Sequence, residues 1–274
     1  MADKKFRYKK GLGQNFLHDT VKIDRMITAI APDPSETFLE IGPGSGNLTK
    51  KILPLVKKIF AVELDKEAIE KLKTATAGSQ WLEIINADIL ETDVTKFFPK
   101  EGKLRVIGNI PYYITTPIIE MVINHKRHIK DIYLTVQKEV AERICAPEGS
   151  KTYGSLSVFC QYHADCEYLF TIGRKAFFPV PDVDSAFIRM NFEKKTPFTV
   201  KNETEFFKLT RGGFEQRRKM LSNNIKRVFG FNEEQAKKAL RQAGIAENAR
   251  AEDVSIINFA KLSDVIYNIQ NIDS

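Results

Sequence analysis

The sequence predicts an α/β fold, in which helices cover both faces of a mostly parallel sheet, followed by a small all-α domain. Short apolar runs alternate with amphipathic stretches over the first two-thirds of the 274-residue chain. A glycine-rich turn directly follows the apolar run at residues 37–41, and after residue 196 only helical spacing remains. Strand–helix–strand repeats build parallel sheets that are covered by helices on both sides.

Each apolar run has the length and the β-branched content of a buried strand. Amphipathic spacing at residues 66–76 and 117–124 predicts helices that connect these strands. The predicted strands are Thr37–Ile41, Lys58–Val62, Leu82–Asn86, Leu104–Ile107, Ile132–Val136 and, later in the chain, Ala186–Phe192.

A domain boundary is predicted near residue 196. The proline-punctuated segment 178–181 and the run Lys194-Lys195-Thr196-Pro197 interrupt the alternating pattern, and the latter has the composition of a linker. Leu221, Ile225 and Val228 then follow at helical spacing, and an apolar stretch at 254–269 closes the chain. We therefore predict a larger domain at residues 1–195 and a small helical domain at residues 196–274.

The bulk composition is that of a globular protein with a basic excess. Hydrophobic residues make up 43% and charged residues 28%, and the formal net charge is +7 with a pI of about 9.1. This charge suits RNA, DNA or an anionic membrane, although many proteins are mildly basic without such a partner. Charge alone leaves these alternatives open.

Cysteine usage and hydropathy exclude several classes of protein. The three cysteines include no Cys-x-x-Cys pair, and there are only four histidines, so we expect no metal site and thiols in a reducing compartment. No apolar stretch is long enough for a signal peptide or a membrane span. We therefore expect a cytoplasmic protein with no membrane partner, and a monomer by default.

The glycine-rich turn at residues 40–47 predicts a cofactor site. Gly42 and Gly44 let a ligand approach the backbone closely. The sequence does not match the dehydrogenase pattern G-x-G-x-x-G, because Asn47 stands at the position of the third glycine. Pro43 also removes a backbone donor from the turn. Both departures disfavour a pyrophosphate and favour a cofactor without phosphate.

Two acidic residues at later strand ends extend this prediction. Glu63 lies about 20 residues after the first glycine, where an acid reaches ribose hydroxyls, and Asp88 can accept a hydrogen bond from an adenine amino group. Together with the glycine turn they fit an adenosyl group. Taken singly, the turn is ordinary architecture and each acid an ordinary helix cap.

The most specific motif is Asn109-Ile110-Pro111-Tyr112-Tyr113, after the fourth strand. An exocyclic adenine nitrogen is a poor nucleophile, since its lone pair is delocalised into the ring. Acceptors that hold its two hydrogens favour tetrahedral geometry, and the Asn109 side-chain oxygen and the Ile110 carbonyl can serve. Pro111 fixes the turn and Tyr112 offers a stacking face. The alternative is a turn that merely caps the strand.

A second stacking ring is predicted at Phe177, in Phe177-Phe178-Pro179-Val180-Pro181. A ring held between prolines can cover the other face of the adenine. A core aromatic beside a loop is the alternative, and the residues alone leave both open.

Basic residues predict contacts with RNA phosphates. We expect Phe214–Lys219 to open a helix that presents cations, with more cations downstream and at the N-terminal arm, where Lys9 and Lys10 are candidates. A solvated helix face is the alternative. The predicted RNA-binding residues are Arg217, Arg218, Lys219, Lys226, Arg227 and Lys138.

With these motifs the chain resembles a known family, the ribosomal RNA adenine N6,N6-dimethyltransferases, and in particular its bacterial small-subunit (16S) branch. The resemblance runs nearly end to end. It is carried by Gly13–Leu17, Glu40–Gly44, Val62–Asp65, Asn109–Tyr113, Gln137–Ala141, Tyr153–Ser157, Phe177–Ser185 and Arg217–Lys219.

The resemblance implies a Rossmann-like class I methyltransferase with a seven-stranded sheet, its last strand antiparallel, plus a helical C-terminal domain. It implies that S-adenosylmethionine binds through residues matching Asn15, Leu17, Gly42, Glu63, Asp88 and Asn109, to which the glycine turn adds Gly44. The implied reaction is dimethylation of two adjacent adenines in a hairpin loop near the 3′ end of small-subunit rRNA. The implied partner is the precursor of the small ribosomal subunit.

Three rival functions remain at this stage. A sister branch methylates one adenine in large-subunit rRNA, but Tyr113, the run 183–185 and the run 214–219 favour the small-subunit branch. A non-catalytic assembly factor on the same fold is the second rival. A dinucleotide dehydrogenase is the third, and Asn47 and Pro43 disfavour it.

Overall fold

The computed structural model describes residues 15–193 and 198–272, which form two compact units. The α/β unit contains residues 15–141 and 167–193, and the helical unit contains residues 142–166 and 198–272. The predicted boundary between residues 195 and 196 and the N-terminal basic arm lie outside the described residues.

The α/β unit is built on a seven-stranded sheet in the order β4-β3-β2-β5-β6-β9-β7. Strands β2 to β6 pair in parallel, whereas β9 runs antiparallel to β6. The mostly parallel, Rossmann-like sheet predicted from the sequence is thereby confirmed. The strands of the chain are β1 (Phe16–Leu17), β2 (Thr37–Ile41), β3 (Lys58–Glu63), β4 (Leu82–Asn86), β5 (Leu104–Asn109), β6 (Ile129–Gln137), β7 (Asp165–Ile172), β8 (Phe177–Phe178) and β9 (Ser185–Asn191).

The six predicted strands are confirmed, with ends that shift by up to three residues. Strands β2 and β5 are buried almost throughout, which is why their apolar runs were recognisable. Strand β7 was missed because it is an edge strand, half-buried over most of its length, and begins with the polar run Asp165-Cys166-Glu167. The two-residue strands β1 and β8 are too short to give a periodic signal.

Two helices of the α/β unit begin at aspartate side chains that satisfy free backbone donors. Asp19 accepts from Lys22 N at the start of α1, and Asp65 accepts from Glu67 N at the start of α3. The helices are α1 (Thr20–Ile30), α2 (Thr49–Ile52), α3 (Lys66–Ala75), α4 (Thr115–Asn124), α5 (Lys138–Ile144), α6 (Ser155–His163), α7 (Glu203–Glu215), α8 (Leu221–Phe229), α9 (Glu233–Gln242) and α10 (Ile256–Ile272).

Helix α6 belongs to the helical unit, although the sequence assigned it to the larger domain. Its Val158 and Tyr162 join the hydrophobic cluster of Phe206 and Leu209, and the rings of Tyr162 and Phe206 lie 4.9 Å apart. The alternation of strands and helices extends past α6 in sequence, so periodicity could not reveal which core receives its apolar face.

The described residues contain no helix both long and apolar enough to cross a bilayer. Within the same residues, no group of three or more His, Cys, Asp or Glu side chains could hold a metal ion. Among the described residues, Cys145, Cys160 and Cys166 form no disulfide bond, and burial raises the pKa of both Cys160 and Cys166. These two thiols are therefore poor nucleophiles near neutral pH.

Candidate active site

A pocket of about 220 Å³ opens at the carboxyl ends of β2, β3 and β5. This is the end of a parallel sheet at which ligands bind in open α/β folds. Tyr112 and Phe177, both predicted to stack on adenine, are not among its lining residues. The sequence-predicted residues that do line it are Asn15, Leu17, Gly42, Gly44, Glu63, Asp88, Asn109, Ile110 and Pro111.

The glycine turn between β2 and α2 is held in a conformation that side chains rarely adopt. Gly42, Gly44 and Gly46 have φ angles of +65°, +56° and +81°. A Cβ atom on Gly44 would lie 2.6 Å from the Phe16 ring. The turn therefore needs glycine both for its backbone and for the close approach of the segment that carries Phe16.

Glu63, at the end of β3, is tied to the glycine turn. Its Oε2 accepts from the backbone N–H of Gly44 at 3.0 Å and its Oε1 from that of Asp65 at 2.9 Å. Burial raises the pKa of Glu63, while these two hydrogen bonds act in the opposite direction. The carboxyl group is thus fixed in position at the pocket wall, where the sequence predicted a ribose contact.

Asp88 follows β4 and forms the polar part of a largely apolar wall. Its Oδ1 accepts from the backbone N–H of Leu90 at 2.9 Å. Leu64, Ile89 and Leu90 line the pocket beside it. Apolar side chains around one carboxyl group suit a flat ring that carries an amino group.

Asn109 ends β5, and its amide has a defined orientation. Its Nδ2 donates to the backbone carbonyl of Asn15 at 2.9 Å, so Oδ1 is the remaining acceptor. Asn47, the residue that breaks the dehydrogenase pattern, likewise donates from Nδ2 to the Leu17 carbonyl at 2.8 Å. These two amides bind the segment at residues 15–17 over the pocket, an arrangement that sequence spacing could not reveal.

Tyr112 is anchored by a side-chain hydrogen bond, and its stacking role stays a prediction. It is half-buried, and its hydroxyl group is 2.8 Å from that of Ser185, while burial raises its pKa. The neighbouring Tyr113 is exposed and lines the pocket. Of the two adjacent tyrosines, the one without a predicted catalytic role is therefore the one that reaches the pocket.

Phe177 is buried in this structure, which gives no support to the stacking role predicted for it. Its side chain is 1% exposed and packs in the hydrophobic core with Leu17 and Phe187. Strand β8 pairs antiparallel with β1, and the side chain of Phe178, the next residue in β8, is 51% exposed. Alternation along the strand buries one ring and presents the other to solvent.

Glu40, the first residue of the glycine motif, has no role predicted from the sequence. Glu40 is 2% exposed and lines the pocket, and its Oε2 has no hydrogen-bond partner among the described residues. Burial raises its pKa to about 7, and the negative charge of Glu63 adds to this effect. A carboxyl group in an apolar run was the only sequence signal for this feature.

The charge of the pocket fits a cationic nucleoside. Its described lining contains three carboxyl groups, on Glu40, Glu63 and Asp88, and no lysine, arginine or histidine. Such a wall repels phosphate groups and attracts a positive ligand. S-adenosylmethionine, with its sulfonium and ammonium groups, meets this requirement, whereas a dinucleotide does not.

The predicted RNA-binding cations divide into two groups. Helix α7 ends at Glu215, so residues 214–219 finish one helix and turn into α8 rather than opening a helix as predicted. Arg217 pairs with Glu252 at 3.1 Å, Arg227 with Glu215 at 2.7 Å, and Lys226 with Glu233. By contrast, Arg218 and Lys219 are exposed in the turn, and Lys138 is exposed in the α/β unit.

The fold and the pocket define the chain as an S-adenosylmethionine-dependent methyltransferase of the Rossmann-like class. Residues 5–268 match the model of the family described as ribosomal RNA adenine dimethylase, and the chain belongs to this family. A Fusobacterium nucleatum protein named ribosomal RNA small subunit methyltransferase A is 41% identical over 259 residues, covering 94% of this chain and 97% of its own. A protein of the same name from Latilactobacillus sakei is 40% identical over 95% of this chain and 90% of its own.

Solved structures agree with this assignment. A dimethyladenosine transferase from Plasmodium falciparum superposes with a TM-score of 0.76 at 28% identity, covering 90% of this chain and 95% of that one. The 23S rRNA methyltransferase ErmE has the same fold, with a TM-score of 0.74 at 23% identity over 92% of this chain and all of its own.

Proposed function

We propose that this enzyme dimethylates N6 of two adjacent adenines in a hairpin loop near the 3′ end of small-subunit rRNA, acting on the precursor of the small ribosomal subunit. The observation that carries the chemistry is the fixed amide of Asn109 at the pocket. The choice of the small subunit rests on relatives of that name at about two-fifths identity over nearly the whole chain.

In the proposed complex, the adenosyl group lies between the acids at the strand ends. Glu63 accepts hydrogen bonds from the ribose hydroxyls and Asp88 from the adenine amino group. The methionine portion then lies against the glycine turn, Gly42 to Gly44, under the segment that contains Asn15 and Leu17. Backbone hydrogen bonds already hold the carboxyl groups of Glu63 and Asp88 in the positions that these contacts require.

Bound S-adenosylmethionine supplies an activated methyl group, so the protein's task is to position the adenine. Asn109 Oδ1 and the Ile110 carbonyl accept the two N6 hydrogens and favour a tetrahedral nitrogen. Pro111 orients this turn. For the stacking face we propose the exposed rings of Tyr113 and Phe178, with Tyr112 positioning the motif through Ser185.

The rRNA phosphates are proposed to contact Arg218, Lys219 and Lys138, which are exposed. Arg217, Lys226 and Arg227 have acidic partners, so their contribution to phosphate binding requires exchange of an ion pair. Because small subunits assemble in the cytoplasm, we propose that the enzyme acts there, as a monomer.

The decisive experiment is methyl transfer from labelled S-adenosylmethionine to small subunits from cells that lack this activity. Dimethyladenosine at two adjacent positions near the 3′ end of the rRNA is the expected product, identified by nuclease mapping and nucleoside analysis. Label in large-subunit rRNA would assign the enzyme to the other branch. Cofactor binding without transfer would instead support an assembly factor.

Glu63→Ala should weaken S-adenosylmethionine binding by roughly 10- to 100-fold, because a charged hydrogen-bond acceptor is lost at the ribose. Isothermal titration calorimetry measures the dissociation constant. Lys73→Ala, on the surface of α3, serves as the control and should bind like the wild type. An unchanged dissociation constant in Glu63→Ala would remove this residue from the ribose site.

Charge reversal of the turn, Arg218→Glu with Lys219→Glu, should weaken binding to small subunits and lower the slope of log K against log salt by about 1.4 to 1.8, since two phosphate contacts are lost. Filter binding over a range of salt concentrations gives both quantities. The matched control reverses Lys238 and Lys261, which are exposed in the same unit. Equal losses in both double variants would mean that the turn acts only through net charge.

A further inference from the structure

Glu40 has no part in the proposed reaction, yet it is among the most confined ionisable groups of the pocket. It lies in β2, between β3 and β5, and is almost completely buried. Ile23 and Met26 of α1 and Leu48 line the same pocket and supply no polar group. A charged carboxylate there needs a positive partner to offset its lost hydration.

The two buried carboxyl groups of the pocket differ in how they are satisfied. Both oxygens of Glu63 accept backbone hydrogen bonds, whereas Oε2 of Glu40 accepts none from the described residues. The charged group that faces Glu40 is Glu63 of β3, which is also acidic, while β5 contributes the neutral Asn109 and α2 the neutral Thr49. Burial raises the pKa of Glu40 to about 7; the Thr49 hydroxyl acts against this rise, and the charge of Glu63 adds to it.

We propose that Glu40 is the counter-ion of the methyl donor: it is ionised when the sulfonium compound is bound and protonated when the neutral thioether product is bound, so that it selects donor over product. This inference rests on the proposed function only in taking the pocket as the cofactor site. Methyl transfer breaks the S–CH₃ bond and forms the N–CH₃ bond, and the substrate nitrogen releases one proton. Glu40 takes up one proton from solvent as the positive charge on sulfur disappears.

The two ligands should therefore respond differently to pH. Below the pKa of Glu40, each fall of one pH unit should weaken the binding of S-adenosylmethionine by up to tenfold, since Glu40 must lose a proton before the donor binds. Binding of S-adenosylhomocysteine should not show this loss. Because the ammonium and carboxylate groups are common to both ligands, the ratio of the two dissociation constants isolates the sulfonium charge.

The experiment measures both dissociation constants by calorimetry from pH 5.5 to pH 8.5, in buffers of different ionisation enthalpy. For the wild type we expect a preference for the donor that grows with pH up to about pH 7, and proton release near pH 7 on binding the donor only. These measurements require no variant. Parallel pH profiles for the two ligands, with equal proton release, would overturn the inference.

Glu40→Gln provides the second arm. We expect its preference for the donor to fall by about tenfold and to lose its pH dependence. The matched control, Leu90→Ala, trims an apolar wall of the pocket and should weaken both ligands alike. An unchanged preference in Glu40→Gln would refute the role of this residue, whereas failure of the wild type to bind either ligand would refute the cofactor site itself.

The pH dependence of thermal stability gives a further test of Glu40. The raised pKa means that folded Glu40 keeps a proton which the unfolded chain releases above its ordinary pKa, so the wild type loses stability as pH rises from about 4.5 to 7. Glu40→Gln avoids this loss and should unfold at a higher temperature than the wild type above pH 7. A lower unfolding temperature there would contradict the burial of an ionised Glu40.

Discussion

Asn109→Ala should lower the rate of methyl transfer by roughly 10²- to 10³-fold, the usual cost of removing one fixed polar group from a reacting centre. The variant loses the acceptor that holds an N6 hydrogen, while Glu63, Asp88 and the glycine turn remain. Single-turnover transfer to small subunits measures the chemical step. The dissociation constant of S-adenosylmethionine, measured in parallel, should change far less than the transfer rate, although the variant also loses the Asn109 hydrogen bond to the Asn15 carbonyl at the pocket.

Asn86→Ala is the matched control for this prediction. The Asn86 amide also ends a strand, but it donates to the backbone carbonyls of Glu63 and Leu64 at 3.0 and 3.1 Å. Its loss should disturb the cofactor wall and raise the dissociation constant, with little effect on the single-turnover rate at saturation. If Asn109→Ala transferred methyl groups at the wild-type rate, the proposed acceptor pair would be wrong.

The parts of the site that were predictable from sequence are those that local geometry determines. A strand that ends in a glycine turn places Gly42 and Gly44 at the sheet edge wherever the fold occurs, and an acid at the next strand end must lie beside them. The pocket lining confirms that these residues come together. Their roles toward the cofactor and the adenine remain predictions.

The parts that were not predictable depend on tertiary partners. Phe177 and Phe178 are adjacent and identical in type, and only the pairing of β8 with β1 decides which ring is buried. Arg217 was expected to face RNA, but its side chain bonds to Glu252 and to backbone carbonyls of residues 151 and 153. No spacing rule connects residues that are 35 to 66 positions apart in the chain.

A buried ion-pair network was also invisible in the sequence. Arg105 in β5 bonds to both oxygens of Asp131, at 2.8 and 3.0 Å, and to Glu36 at 2.6 Å. Its NH2 also donates to the carbonyl of Ile30, at the end of α1, at 2.8 Å. Arg189 of β9 reaches Asp131 at 3.2 Å, so one network joins α1, β5, β6 and β9.

Burial opposes ionisation within this network, and its hydrogen bonds overcome that opposition. Glu36 loses hydration, yet hydrogen bonds from Lys130 and Arg105 hold its pKa below the ordinary value. The Arg105 side chain is only 3% exposed, and burial favours its neutral form, but Asp131 and Glu36 raise its pKa still further. Removing one member leaves the others charged and buried, which is more costly than never having formed the pair.

Arg105→Met should therefore lower the free energy of unfolding of the α/β unit by about 3 to 5 kcal/mol. Arg241→Met is the matched control: Arg241 also bonds two glutamates at 2.6 Å, but its side chain is 49% exposed, so its loss should lower the stability far less than the loss of Arg105. Urea denaturation followed by circular dichroism, with hydrogen exchange of the β5 and β6 amides, measures both.

The deficit of Arg105→Met should shrink as pH falls below the ordinary pKa of glutamate, because a carboxylate with a lowered folded pKa stabilises the protein only above that range. Equal deficits in the two variants would mean that burial adds nothing to the value of these ion pairs.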